Sequence, residues 1–132
     1  MVGASGERML HLTARYADLW NGACPRPDHV SPLRDRVDAA CRAERRDPAT
    51  LDRTIAVLVD FTDGRGIPSN FNPARLPPLS GTPVQLAAAL GAFASEGISH
   101  VQLTPLPMKV ESVEQLAPVL DILDGAASQR GI

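Results

Sequence analysis

Lysine, aromatic residues, cysteine and long apolar runs are all scarce in this chain of 132 residues, and each shortage closes off a class of function. Lys109 is the only lysine, and the basic residues, otherwise all arginine, are outnumbered by acidic ones for a net charge of -2. That leaves no electrostatic surplus of the kind that binding to nucleic acid requires. Aromatic residues make up 4%, too few to build stacking platforms for single strands. Cys24 and Cys41 lie seventeen residues apart, and Cys24 has no His or second Cys nearby. This is neither metal-ligand spacing nor a disulfide scaffold, so both cysteines read as reduced. No run approaches the roughly 18 apolar residues of a membrane span. The N-terminus shows no charged leader before an apolar stretch, so export is not expected and a cytoplasmic location follows.

What remains is an ordinary globular composition, 44% hydrophobic and 21% charged. The length fits one domain, able to bury roughly two thirds of its unfolded surface. Met9, Leu12, Thr13 and Tyr16 recur at helical spacing, which predicts a helix with that face buried. Ala17 to Asn21 reads as a short buried strand, and Gly22 to Val30 as a loop stiffened by Pro25 and Pro27. Ser31-Pro32 predicts a helix start, with Leu33, Val37, Ala40 and Cys41 on its apolar face and Asp47-Pro48 as its stop. Thr54 to Phe61 is a continuous β-branched apolar run, the mark of a strand covered on both faces. Asp63 to Leu79, within residues 62–80, is a long loop holding Gly64, Gly66 and four prolines; loops of this length are usually functional or disordered.

Thr82-Pro83-Val84-Gln85 is a capping box, followed by Leu86, Ala89, Leu90 and Phe93 as a buried helical face closed by Gly97. Ser99 to Thr104 reads as a strand. Ser112 to Gln115 reads as a second capping box, with Leu116, Val119, Leu120 and Leu123 buried behind it. Strands alternating with helices in this order predict β/α units on a parallel sheet.

Few segments carry chemistry. Gly3-Ala4-Ser5-Gly6 before a helix admits two readings. It is a tight turn that needs glycine, or it is a small-residue loop that lets a phosphate reach the N–H groups and dipole of the first helical turn. Arg8 would add a charge to the second reading. The segment is neither a Walker loop nor a full dinucleotide fingerprint. His11, His29 and His100 have no partners at ligand or catalytic spacing. Asp60 and Asp63 follow the apolar strand, where barrel enzymes place functional groups, and also suit a plain loop opening. Trp20 reads as core. No nucleophile elbow is present, and no catalytic residue can be named.

Three co-linear segments, Val2 to Asn21, Ala39 to Val59 and Leu79 to Pro107, together with the closing helix Ser112 to Leu123, resemble the C-terminal region of the bacterial luciferase-like monooxygenases and their deazaflavin-dependent relatives. The resemblance spans the whole chain. It implies an α/β fold, part of a (β/α)8 TIM barrel with roughly the last three strands and four helices. It implies a flavin- or deazaflavin-dependent oxidoreductase or monooxygenase, using FMN or a deazaflavin coenzyme on a small organic substrate. Carried over by position, Gly3, Ala4, Ser5 and Gly6 match the phosphate loop after the fifth strand, and Asn21 matches a cofactor-side position after the sixth. Complete relatives are more than twice as long, so a truncated form is expected. Two alternatives stand beside the enzyme: a non-catalytic remnant or half of a split barrel needing a partner, and an anion-binding α/β domain with no redox role. A partial barrel would leave Leu19–Asn21 and Ser99–Thr104 as open edges. It is therefore expected to self-associate as a homo-oligomer, pair with a complementing barrel fragment, or rearrange into a small α/β layer.

Overall fold

The computed structural model describes residues 1–130. Four parallel strands form one sheet in the order of the chain: β1 (Val2–Gly3), β2 (Leu19–Ala23), β3 (Asp52–Asp60) and β4 (His100–Leu106). Helices α1 (Glu7–Tyr16), α2 (Val30–Ala43) and α3 (Pro83–Ser95) connect them, and α4 (Val110–Glu114) and α5 (Ala117–Arg130) follow. No helix among the described residues is long and apolar enough to cross a membrane.

The helices lie on one face. Ile55, Val57 and Val59 alternate along β3 and pack against Leu86, Leu90 and Phe93 of α3. Trp20 of β2 packs with Leu10 and Ala14 of α1 and with Val37 and Cys41 of α2. Leu33 of α2 touches both groups and joins them. The intervening strand positions, among them Asn21, Thr54, Ala56, Leu58 and Gln102, point to the other face. There Gln102 Nε2 donates to Met1 Sδ at 3.7 Å, linking the residue before β1 to the opposite edge.

Each predicted strand is present, with ends shifted by a residue or two. The two-residue β1 is added, and it shields β2. The open edges are β1 and β4, not Leu19–Asn21. The helical face predicted for α1 is corrected. Leu10, Thr13 and Ala14 are buried, while Met9, Leu12 and Tyr16 are exposed at 44%, 41% and 74%. Leu10 and Ala14 face inward against Trp20. On α3 the inward residue is Ala87 and not Ala89.

Two predicted helix starts also move. α2 begins at Val30, continuing a 3-10 turn at Pro27–His29; Pro32 then falls in its first turn, where no N–H is needed. Ser112 is buried within α4 and caps nothing. Pro118 cannot continue a helix from upstream, so the chain breaks and restarts as α5, with Leu120 left exposed. The capping box at Thr82 and Gln85 is formed in both directions.

Candidate cofactor site

The loop after β1 is pinned from three sides. Ala4 N–H donates to Asn21 O at 3.3 Å, extending the β1–β2 ladder. The Trp20 indole N–H donates to Ala4 O at 2.9 Å. Arg36 of α2 donates to Ser5 O. The chain then enters α1 with Gly6 as N-cap and no side-chain cap. A helix leaves its first N–H groups without intrahelical partners, and its dipole makes that end positive.

This loop borders an open cleft of about 680 Å³. Gly3, Ala4 and Ser5 form one wall, and Asn21, Gly22 and Ala23 the floor. The opposite wall is Asn70 to Asn72 with Arg75 and Leu76, from the long loop after β3. Asn21 is oriented from behind, because the Thr54 hydroxyl donates to its Oδ1 at 2.8 Å. Gly22 is forced by packing. A Cβ there would lie 2.6 Å from one atom of the Trp20 ring and closer still to the next.

The long loop is held at three points. Asp60 is buried at 6% exposure, and its carboxylate accepts from Thr62 N–H, the Thr62 hydroxyl and Gly64 N–H. Burial works against the charge, but these donors outweigh it and hold the carboxyl below its usual range. Gly66 sits where a Cβ would strike Pro107. Leu79 returns to bridge Val59, accepting from Asp60 N–H and donating to Leu58 O.

The cleft gathers Gly3, Ala4, Ser5 and Asn21, four of the five residues the sequence marks; Gly6 stands at the helix mouth beside it. Arg8 does not join them. It lines a groove on the outer side with His11, Arg15 and Glu44. The cations near the loop are instead Arg36 and Arg75, distant in sequence and invisible to a local motif. Asp60 is consumed by the turn, and Asp63 adopts the left-handed conformation at φ 52° that an aspartate tolerates there. His11 bonds Glu44, His29 ends an exposed turn, and His100 opens β4 at the opposite end of the sheet. Glu44 is held below its usual range by its bonds from His11 and Arg15. Cys24 and Cys41 are free and buried, and burial pushes both thiols up. No three His, Cys, Asp or Glu among the described residues come together as a metal would need.

No family model matches the chain, and no curated protein does. Solved structures match its fold. A riboflavin lyase with modified FMN and the substrate riboflavin has a TM-score of 0.71 at 16% identity, covering 95% of this chain and 42% of that one. An F420-dependent secondary alcohol dehydrogenase with an F420-acetone adduct gives 0.64 at 12%, covering 92% and 47%. An EDTA monooxygenase from Chelativorans sp. BNC1 gives 0.65 at 11%, covering 95% and 46%. The chain has the fold of about half a luciferase-like barrel. It spans under half the length of each of these solved chains. In such barrels the functional face is at the C-terminal ends of the strands, which is where the half-barrel's cleft lies.

Proposed function

We propose that this half-barrel holds the phosphate end of a flavin or deazaflavin cofactor, FMN or a deazaflavin coenzyme, as part of a luciferase-like oxidoreductase or monooxygenase acting on a small organic substrate. One observation carries the reading. Neither Gly3 nor Gly6 has a positive φ; Gly6 sits at φ -73°. A Cβ on Gly3 would meet only Asn21 O at 3.8 Å, and one on Gly6 would meet nothing within 4 Å. The protein's own conformation and packing therefore do not call for glycine at either place. That weakens the tight-turn reading and leaves close approach by a ligand.

The residues present fit a phosphate. The first-turn N–H groups of α1 are directed at the loop's mouth, the Ser5 side chain borders it, and Arg75 supplies a cation from the facing wall. When bound, the cofactor supplies the redox chemistry. This chain's part is to anchor and orient it. Trp20 and Arg36 hold the carbonyls of Ala4 and Ser5, which fixes the loop in place. Asn21, fixed by Thr54, offers the remaining end of its amide to the cleft. The loop of Asn70 to Leu76 limits water on the far side.

The test is a titration with FMN and with a deazaflavin, followed by fluorescence, on the chain and on Gly6→Asp. Aspartate is a strong N-cap residue, and nothing crowds it here, so the fold should gain a few tenths of a kcal/mol. Its carboxylate would face the phosphate, and affinity should fall at least tenfold. Unchanged affinity for both cofactors would sink the proposal. Binding of inorganic phosphate with neither cofactor bound would favour an anion-binding domain without a redox role.

A further inference from the structure

Asparagine occurs three times in the chain, at Asn21, Asn70 and Asn72, and all three line the cleft. Two of them are fixed with the same polarity. Asn21 Oδ1 accepts from the Thr54 hydroxyl at 2.8 Å, and Asn72 Oδ1 accepts from Ala74 N–H at 3.0 Å. Each amide therefore has its oxygen tied to the protein and its two N–H donors left over. The carbonyls of the near wall are occupied as well, Ala4 O by the Trp20 indole and Ser5 O by Arg36. Among the described residues, Arg75 is the only charged one on the lining, and its guanidinium has no hydrogen-bond or ion-pair partner. A guanidinium only donates.

Asn72 and Arg75 act from one turn. Pro73 follows Asn72, and Arg75 N–H donates back to Asn72 O at 3.2 Å. The bond from Ala74 N–H to the Asn72 side chain fixes the same turn. Donors thus reach the cleft from the far wall through Asn72 and Arg75 and from the floor through Asn21, and the Ser5 hydroxyl can join them from the near wall. A group that satisfies them all has acceptor oxygens on three sides. A phosphate monoester has three free oxygens and, near pH 7, a charge of roughly -1.5 to -2. A phosphodiester has two free oxygens, a single charge and a second substituent. Wherever that substituent points, it covers one set of donors and leaves them without partners.

We infer that the cleft is selective for a phosphate monoester, so that it takes FMN and turns away cofactors whose phosphate is esterified at both ends, FAD and the deazaflavin coenzyme among them. The inference rests on the cofactor reading and narrows it. It makes the long loop after β3 part of the phosphate site, with Asn72 and Arg75 as binding residues.

Fluorescence titration of the chain with FMN, riboflavin, FAD and a deazaflavin coenzyme tests it. The first three share one ring system and ribityl chain and differ only beyond it. FMN should bind at least tenfold more tightly than each of the others. Asn72→Asp keeps the oxygen that accepts from Ala74 N–H and replaces the two donors by a second oxygen. It should keep its helical circular dichroism, lose at least tenfold in affinity for FMN and leave riboflavin unchanged. FAD or the deazaflavin binding as tightly as FMN overturns the selectivity and leaves the cofactor reading standing. So does an Asn72→Asp chain that binds FMN as wild type does, because the far wall would then not touch the phosphate. Riboflavin binding as tightly as FMN, or no binding by any of the four, overturns the inference together with the reading beneath it.

Discussion

At the scale of single residues, Trp20 does two jobs at once. Its ring is buried at 2% exposure in the packing between β2, α1 and α2, while its indole N–H fixes the loop that forms the cleft wall. Gly22 makes this possible by leaving room for the ring. Gly22→Ala would drive a methyl group into two atoms of the Trp20 ring, and the large ring has no flexible end to yield. We expect a loss of about 1–3 kcal/mol in denaturant unfolding, the usual cost of overpacking. Ala4 O would lose its donor, so Trp fluorescence should change and cofactor affinity should fall although the added methyl carries no charge. Gly3→Ala is the contrast, since its methyl meets only Asn21 O at 3.8 Å. Equal stability of both variants would show that the ring is not tightly held. The sequence marks Asn21 through its resemblance, but it places Gly22 in a loop. Strand alternation puts residues two apart on one face, but with the strand read as ending at Asn21 the shared face of Trp20 and Gly22 goes unseen.

At the scale of elements, the stretch between β3 and α3 behaves as an anchored cover. Proline and glycine made it legible as a loop, and its position over the cleft was not, because Asn70 to Leu76 come near Gly3 and Asn21 only once β1, β2 and β3 pair in one sheet. Asp60 is the first anchor. A carboxylate with a depressed folded pKa stabilises the structure above its unfolded pKa of roughly 4, and that contribution is lost as pH falls through the folded value. Asp60→Asn removes the charge and one strong acceptor from three donors. It should cost about 1–3 kcal/mol near neutral pH. The gap between variant and wild type should then narrow steadily below roughly pH 4, because wild type loses the same contribution on protonation. Urea unfolding at a series of pH values checks this. A gap that stays constant down to low pH would mean that the charge on Asp60 does not hold the turn. Near neutral pH, protease cleavage within residues 63–79 should also quicken in the variant.

At the scale of the molecule, the order of strands and helices was readable from alternating patterns, because β-branched runs and proline-marked helix starts are local signals. The buried face of α1 was not. Periodicity marks Met9, Leu12 and Tyr16 as apolar, and the usual inference that an apolar face is buried fails at this helix. The interior itself is two connected groups, one over β3 and α3 and one between α1, α2 and Trp20, joined by α2 through Leu33. Each group contains one cysteine. Cys24 is in the first, with its thiol donating to Arg26 O at 3.0 Å, and Cys41 is in the second; both are fully buried. Burial keeps both thiols protonated and out of reach of reagents. Each is therefore a reporter for its own half of the core. Because α2 contributes to both groups, opening one should open the other. Alkylation in increasing urea, with each cysteine read separately by mass spectrometry, should show negligible reaction in native buffer and a single shared midpoint that matches loss of helix. If Cys24 became reactive at clearly lower urea than Cys41, the β3–α3 half would be a separate folding unit, and α2 would not be the element that makes the half-barrel one body.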